Sequence, residues 1–330
     1  MRYLLTILVI LACSFPLAAQ YAPQAGVAGS IAISQSSSAF VRWAGQCTIQ
    51  RGYLNIDSPA LGYTSFGDST MALGAPDHDV VSLGDSGVAT LGFPGTIYNG
   101  PGPDFAIFEN GFINPANDSQ AFLELAFVEV SSDGINYQRF PVNSLTPVTS
   151  QIPGSGVYMY ANLINGLAGK YGSGYGTPFD LEDLPPVSYI NKSAITHIRI
   201  VDVIGDVVRH TSRDSVGRII NDPYPTQFPT GGFDLDAVGI IHYTSGTGIS
   251  NTARNAGLRL YPMPVADQLF VDAVNNTTAT LTDVSGRSLA TITLHEGQNK
   301  IDMEAYAPGI YLLITHDNNG ATCVEKVIRR

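Results

Sequence analysis

AFLELAFVEVSSDGINYQRF, residues 121–140, decides the fold class. From Ala126 it reads as a strand, an Asp-Gly turn at Asp133-Gly134 and a returning strand: a β-hairpin. On either side, from Val41 to Tyr243, short apolar runs recur every ten residues or so, broken by Gly, Pro, Asn and Asp. They include VVSLG, GVATLGF, DFAIFENGF, HIRIVDVIG and DLDAVGIIHY. This spacing predicts an all-β sandwich or barrel. The one helix expected lies in YANLINGLAGKYG, residues 160–172.

Composition agrees with strands and turns. Of 330 residues only 14% are charged, against about 25% in an average soluble domain. Glycine (34) and proline (20) are plentiful, and 44% hydrophobic content suffices for a sizeable core. The net charge of −11 excludes nucleic acid as the expected partner, since phosphate binding requires a basic surface. It suits cation binding or plain solubility equally.

The first residues, MRYLLTILVILACSFPLAAQ, have a short positive start at Arg2, an apolar stretch from Leu4 to Cys13 and small residues at Ala18-Ala19. This predicts a secretory signal peptide over 1–20, too short for a membrane span. No other apolar run has the length to cross a bilayer. A loose Ala/Gly/Ser-rich segment is expected over 21–40, the main domain over 41–243 and a polar linker over 244–257. Past the signal only Cys47 and Cys323 remain, in different expected domains, with no zinc-type spacing.

GGFDLDAVGIIHY, residues 231–243, carries the chemistry of most interest. In a regular strand Phe233, Leu235 and Ala237 share one side, and Asp234, Asp236, Val238 and Ile240 the other. Two carboxylates at the mouth of a strand can be solvated, capped by loop N–H groups or neutralised by a cation. Calcium takes six to eight oxygen ligands. Glu109 and Asn110 of FENGF, Asp180 and Asp222 are the further candidate ligands beside Asp234 and Asp236. Glu109 stands among Phe105, Phe108 and Phe112, and if buried it needs a partner. The options are a metal, an arginine such as Arg199 or Arg218, or a raised pKa and a catalytic role.

The irregular stretch 209–234 combines Arg218, Tyr224 and Phe228 with three prolines. Long loops in compact domains tend to be functional, and aromatics with a few polar groups suit sugar or small-ligand sites. Trp43, the only tryptophan, is read as a core plug. There is no P-loop, GxSxG elbow or HExxH motif.

From Leu258 the texture changes to a small β-sandwich of about 73 residues. YPMPVADQLFV (261–271), DVSGRSL (283–289), AYAPGIYLLI (305–314) and the terminal VEKVIRR resemble the C-terminal sorting domain of the type IX secretion system of Bacteroidetes-type bacteria. The resemblance covers 258–330. It implies an immunoglobulin-like sandwich, a type IX machinery partner, export across the outer membrane, removal of this domain, and surface attachment or release. The main domain, through GPGPDFAIFENGF, GLAGKYGSGYGTPFDL and INDPYPTQFPTGGFDLDAVG, resembles uncharacterised bacterial cell-surface proteins with the texture of galactose-binding-type jelly rolls. That implies a jelly-roll sandwich, often with a calcium tying the last strand to the loops, and no reaction. The expectation is therefore a noncatalytic secreted binder of a carbohydrate or other extracellular ligand. Surface capture of a nutrient or a cofactor such as a corrinoid, a hydrolase using Glu109 and the aspartates, and an inert surface-layer component stay open.

Overall fold

The computed structural model describes residues 21–245, 258–316 and 322–330. The signal peptide expected over 1–20 and most of the linker lie outside the described residues. The chain divides into two compact units, between Thr244 and Ser245. Both are all-β, with three-residue 3₁₀ turns as the only helical pieces among the described residues.

The larger unit is a sandwich of two six-stranded sheets whose strand pairs are all antiparallel. One sheet runs Ile33–Ser34, Tyr175–Phe179, Phe105–Glu109, Asp234–Ile240, Arg42–Trp43, with Val81–Ser82 also paired to Asp234–Ile240. The other runs Gln138–Arg139, Ala126–Ser131, Ile195–Asp202, Val88–Ile97, Tyr243–Thr244, with Gln46–Gln50 also on Val88–Ile97. The hairpin of Ala126–Ser131 and Gln138–Arg139 forms as its sequence predicts. Between the sheets lie Leu91, Phe105, Ile107, Val128, Ile198, Ile200, Leu235 and Val238, all buried.

Period-2 patterning explains which faces are used. In Ile195–Asp202 the residues Ile198, Ile200 and Asp202 are buried and their neighbours only half so, which leaves a carboxylate at the end of an inward row. The strand Phe105–Glu109 is buried on both faces. Phe105 and Ile107 enter the main core, while Ala106 and Phe108 meet Phe40 and Trp43 on the outer face. Trp43 is thus a packing residue, its ring 5.6 Å from that of Phe108.

Two local expectations give way. The segment 21–40 is tied down: Ile33–Ser34 pairs with Tyr175–Phe179, and the buried Gln24 accepts the Gly172 N–H. The stretch 160–172 forms no α-helix; it supplies a 3₁₀ turn Ala161–Leu163, a short strand Ile164–Asn165 and a bridge from Ala168 to Ala126. Its Gly166 and Gly169 have φ of +73° and +78°, which a right-handed helix excludes.

A third, smaller sheet flanks the sandwich: Met159–Tyr160, Asn117–Phe122 and Phe112–Asn114. The second unit is a separate sandwich. Its sheets are Arg259–Tyr261, Gln268–Ala273, Gly297–Asp302 and Ser288–Leu294, Thr277–Asp283, Gly309–His316, Thr322–Arg329. Leu269, Val271, Leu281, Leu313 and Val327 form its core.

Candidate functional site

The closing strand Asp234–Ile240 does not alternate as a regular strand would. Leu235 pairs with Glu109, but Ala237, not Asp236, pairs with Phe108. Asp236 is an extra residue in a β-bulge. Beyond it the faces exchange: Val238 and Ile240 join Leu235 in the main core, and Ala237 packs outside with Phe108. The expected grouping of Asp234 and Asp236 with Val238 and Ile240 is thereby corrected.

The two aspartates are buried and separately held. Asp234 accepts from the Ser82 hydroxyl and, at 3.1 Å, from the Asn110 side-chain amide. Asp236 accepts the Asp77 N–H at 3.1 Å. Burial raises both; Asp234 is pushed up to about 6.

Asp234 lies in a wider buried group. Its charge acts on Glu109, Glu124 and Asp202, and Asp222 acts on both glutamates. Burial first, then these neighbours, raises all four well above the ordinary carboxylate range. Their partners are mostly main-chain donors. Glu109 accepts from Gly111, Asp222 from Leu125, and Asp202 from Ser86 and Phe233. Glu109 Oε1, Asp222 Oδ1 and Asp236 Oδ2 are buried without a hydrogen-bond partner. Neither Arg199 nor Arg218 serves Glu109: they pair with Glu129 and Asp214.

Among the described residues, no three His, Cys, Asp or Glu side chains converge at metal-ligating positions. The orphaned oxygens of Glu109 and Asp222 are of the type a hard cation takes, but the described residues assemble no ligand cluster around them. A calcium there would need Asn110, main-chain carbonyls and water to complete its shell. Asp180 is in another neighbourhood: it caps the 3₁₀ turn Leu181–Asp183 through the Glu182 N–H and acts on Asp104 and Asp183.

The candidate ligand residues are also distributed. The Arg218 guanidinium is held by Asp214 at 2.7 Å and Asn143 at 3.2 Å. Tyr224 is buried, donating to Asp57 and Asn55. Phe228 is half exposed. Asp57 proves to be a hub, taking Tyr224, Arg209 and His210. Asp85, which takes the Ile56 N–H, is pushed up to about 6, first by burial. Sequence reasoning passed over Asp57, Asp85, Glu124 and Asp202; the available signal was an acid within or beside an apolar strand run, as in AFLELAF and IRIVDV.

The second sandwich can be placed more directly. Residues 259–330 match the family described as "Secretion system C-terminal sorting domain". The sorting domain is an address for the type IX machinery, so the chain is exported to the cell surface or beyond. No helix among the described residues is long and apolar enough to cross a membrane. No curated protein matches the chain. Among solved structures, PorZ of Porphyromonas gingivalis, a surface component of the type IX secretion system, is 13% identical with a TM-score of 0.22. That alignment covers 77% of this chain and 45% of PorZ. The β-glucuronidase of Ruminococcus gnavus is 11% identical with a TM-score of 0.19, covering 74% of this chain and 36% of that one. The chain thus spans less than half the length of either protein.

Proposed function

We propose that the large sandwich, exported under the direction of the sorting domain, is a noncatalytic binding module for a carbohydrate or other extracellular ligand. In this reading the acidic end of the closing strand carries a stabilising calcium. The observation that carries the reading is how the strand-poor segment 203–233 is held. Asp206 accepts the N–H groups of Val208, Arg209 and His210. Asp214 accepts those of Ser144, Val216 and Arg218. Asn221 bonds Ile152, Pro147 and Ser150.

Loops fixed in this way lose little entropy on meeting a ligand, which is how a rigid scaffold gains affinity. Glu109 is only 1% exposed, giving a substrate bond no approach to it. The test is a glycan array probed with the full chain in calcium-containing buffer. Saturable binding to defined glycans without their cleavage is expected. Glycan turnover, or no retention on any glycan, overturns the reading.

A further inference from the structure

The small flanking sheet has two unlike faces. Its register pairs Phe112 with Phe122, Ile113 with Ala121, Met159 with Ala121 and Tyr160 with Gln120. Ala121 and Met159 point into a buried cluster with Leu123 and Ile164. By the period-2 rule their neighbours Phe122, Gln120, Tyr158 and Tyr160 point the other way, with Phe112 beside Phe122.

There the rings gather. Phe112 stacks on Phe122 with centroids 5.1 Å apart and planes 14° apart, and meets Tyr158 edge to face at 6.1 Å. Phe112 stays 55% exposed and Tyr160 41%. Exposed aromatics gathered on one sheet face are costly in water and mark a contact surface. Amides border them: Gln120 Oε1 accepts from Asn114 at 3.0 Å and from Asn117 at 3.3 Å. That ordering leaves the Gln120 amino group with no partner among the described residues. Asp118 is the single charged residue on the three strands.

We propose that this face is the ligand site, and that its ligand is an uncharged glycan. The inference rests on the carbohydrate-binding reading above and gives it a location. A pyranose ring presents slightly positive C–H bonds on one face, which suit the negative face of an aromatic ring. Its rim of hydroxyls calls for fixed amides and a carboxylate acceptor, which Gln120, Asn114 and Asp118 supply. An anionic polymer would meet Asp118 on a chain of net charge −11 with no basic residue on these strands, so charge selects a neutral ligand.

The experiment is affinity electrophoresis of the full chain through gels containing barley β-glucan, xyloglucan or galactomannan, with polygalacturonate as the anionic comparison. Retardation by at least one neutral polymer is expected, weakened tenfold or more in Phe112→Ala and in Tyr160→Ala. Tyr160→Ala, an exposed edge change, guards against misfolding of the first variant, and thermal melts check both. Retardation of the wild type that both variants keep, or that only Phe228→Ala loses, removes this face as the site and leaves carbohydrate binding standing. Retardation by polygalacturonate alone overturns the neutral-ligand assignment. No retardation by any polymer overturns both the site and the reading beneath it.

Discussion

Tyr224 donates its phenolic hydrogen to Asp57 at 2.8 Å, a bond that joins residues 167 positions apart. Asp57 also receives Arg209 and His210, so one carboxylate ties two separate points of the segment that leads into the closing strand. Because both partners lie at least partly out of water, the bond is worth more than a surface contact.

Tyr224→Phe removes that hydroxyl and little else. Loss of a hydrogen bond to a charged acceptor costs about 1.5–3 kcal/mol. Asn55 and Asp57 keep other donors, the Asp57 N–H and Arg209, so the lower half of that range is expected. Urea unfolding of the full chain, following the larger unit, measures it. Phe228→Ala, at a half-exposed ring, is expected to cost less. Equal losses would mean that the Asp57 hub does not fix the segment.

Acidification supplies a second test. Asp85 and Asp234 are pushed up to about 6 by burial, while an unfolded aspartate titrates near 3.9. Between those values the native chain binds protons that the unfolded chain does not, so stability falls as pH rises through the interval. Glu109, Glu124, Asp202 and Asp222 are raised in the same direction. Asp206 and Asp214 are lowered, chiefly by main-chain donors acting against burial, and they weaken the fold only when pH drops below the ordinary carboxylate range. In metal-free buffer the calorimetric Tm of the larger unit should therefore be higher at pH 5 than at pH 7.5. A Tm that stays level or rises over the same interval would show that these carboxylates take up no protons on folding.

In the proposed reading calcium neutralises the buried carboxylates at neutral pH. If it binds the folded chain only, it stabilises by RT ln(1 + [L]/Kd), about 2.7 kcal/mol at a hundredfold excess over Kd. Adding calcium at pH 7.5 should raise the Tm and flatten the pH dependence, because the ion replaces the protons. Glu109→Gln, at the carboxylate whose Oε1 has no partner, should abolish the calcium shift. No shift with calcium or EDTA in the wild type removes the ion and leaves the carboxylates held by protons and main-chain donors alone.

The sandwich, the hairpin at 126–139 and the sorting domain were legible because each rests on local pattern: strand spacing, turn residues and motif order. The buried acids were legible only in part. Asp234 and Glu109 stand out as charges amid apolar residues, but their partners Ser82, Asn110 and Gly111 come from folding. The bulge at Asp236 left no mark in GGFDLDAVGIIHY, since alternation there looks regular and only the pairing with Phe108 reveals the extra residue. The helix expected over 160–172 lost to tertiary pairing and to glycines whose left-handed φ is invisible in one sequence. The aromatic face went unread because Phe112 and Phe122, on two strands, and Tyr158, just before a third, come together only through folding.

One of those glycines offers a controlled comparison. Gly169 has φ +78°, and a Cβ there would stand 1.9 Å from the Glu124 carbonyl oxygen, beside the bridge joining Ala126 and Ala168. Gly156 has nearly the same φ, +77°, with nothing within 4 Å of a Cβ. A non-glycine residue held in the left-handed region costs about 1–3 kcal/mol. Gly156→Ala should lose no more than that strain. Gly169→Ala must also push aside main chain next to the buried Glu124, so it should lose more and shift the signals of the 122–126 and 166–170 backbone. Paired urea titrations and amide hydrogen exchange measure the difference. Equal destabilisation of the two variants would mean that the 166–170 turn yields freely, and that the buried acids stand on a softer floor than the contacts around Gly169 imply.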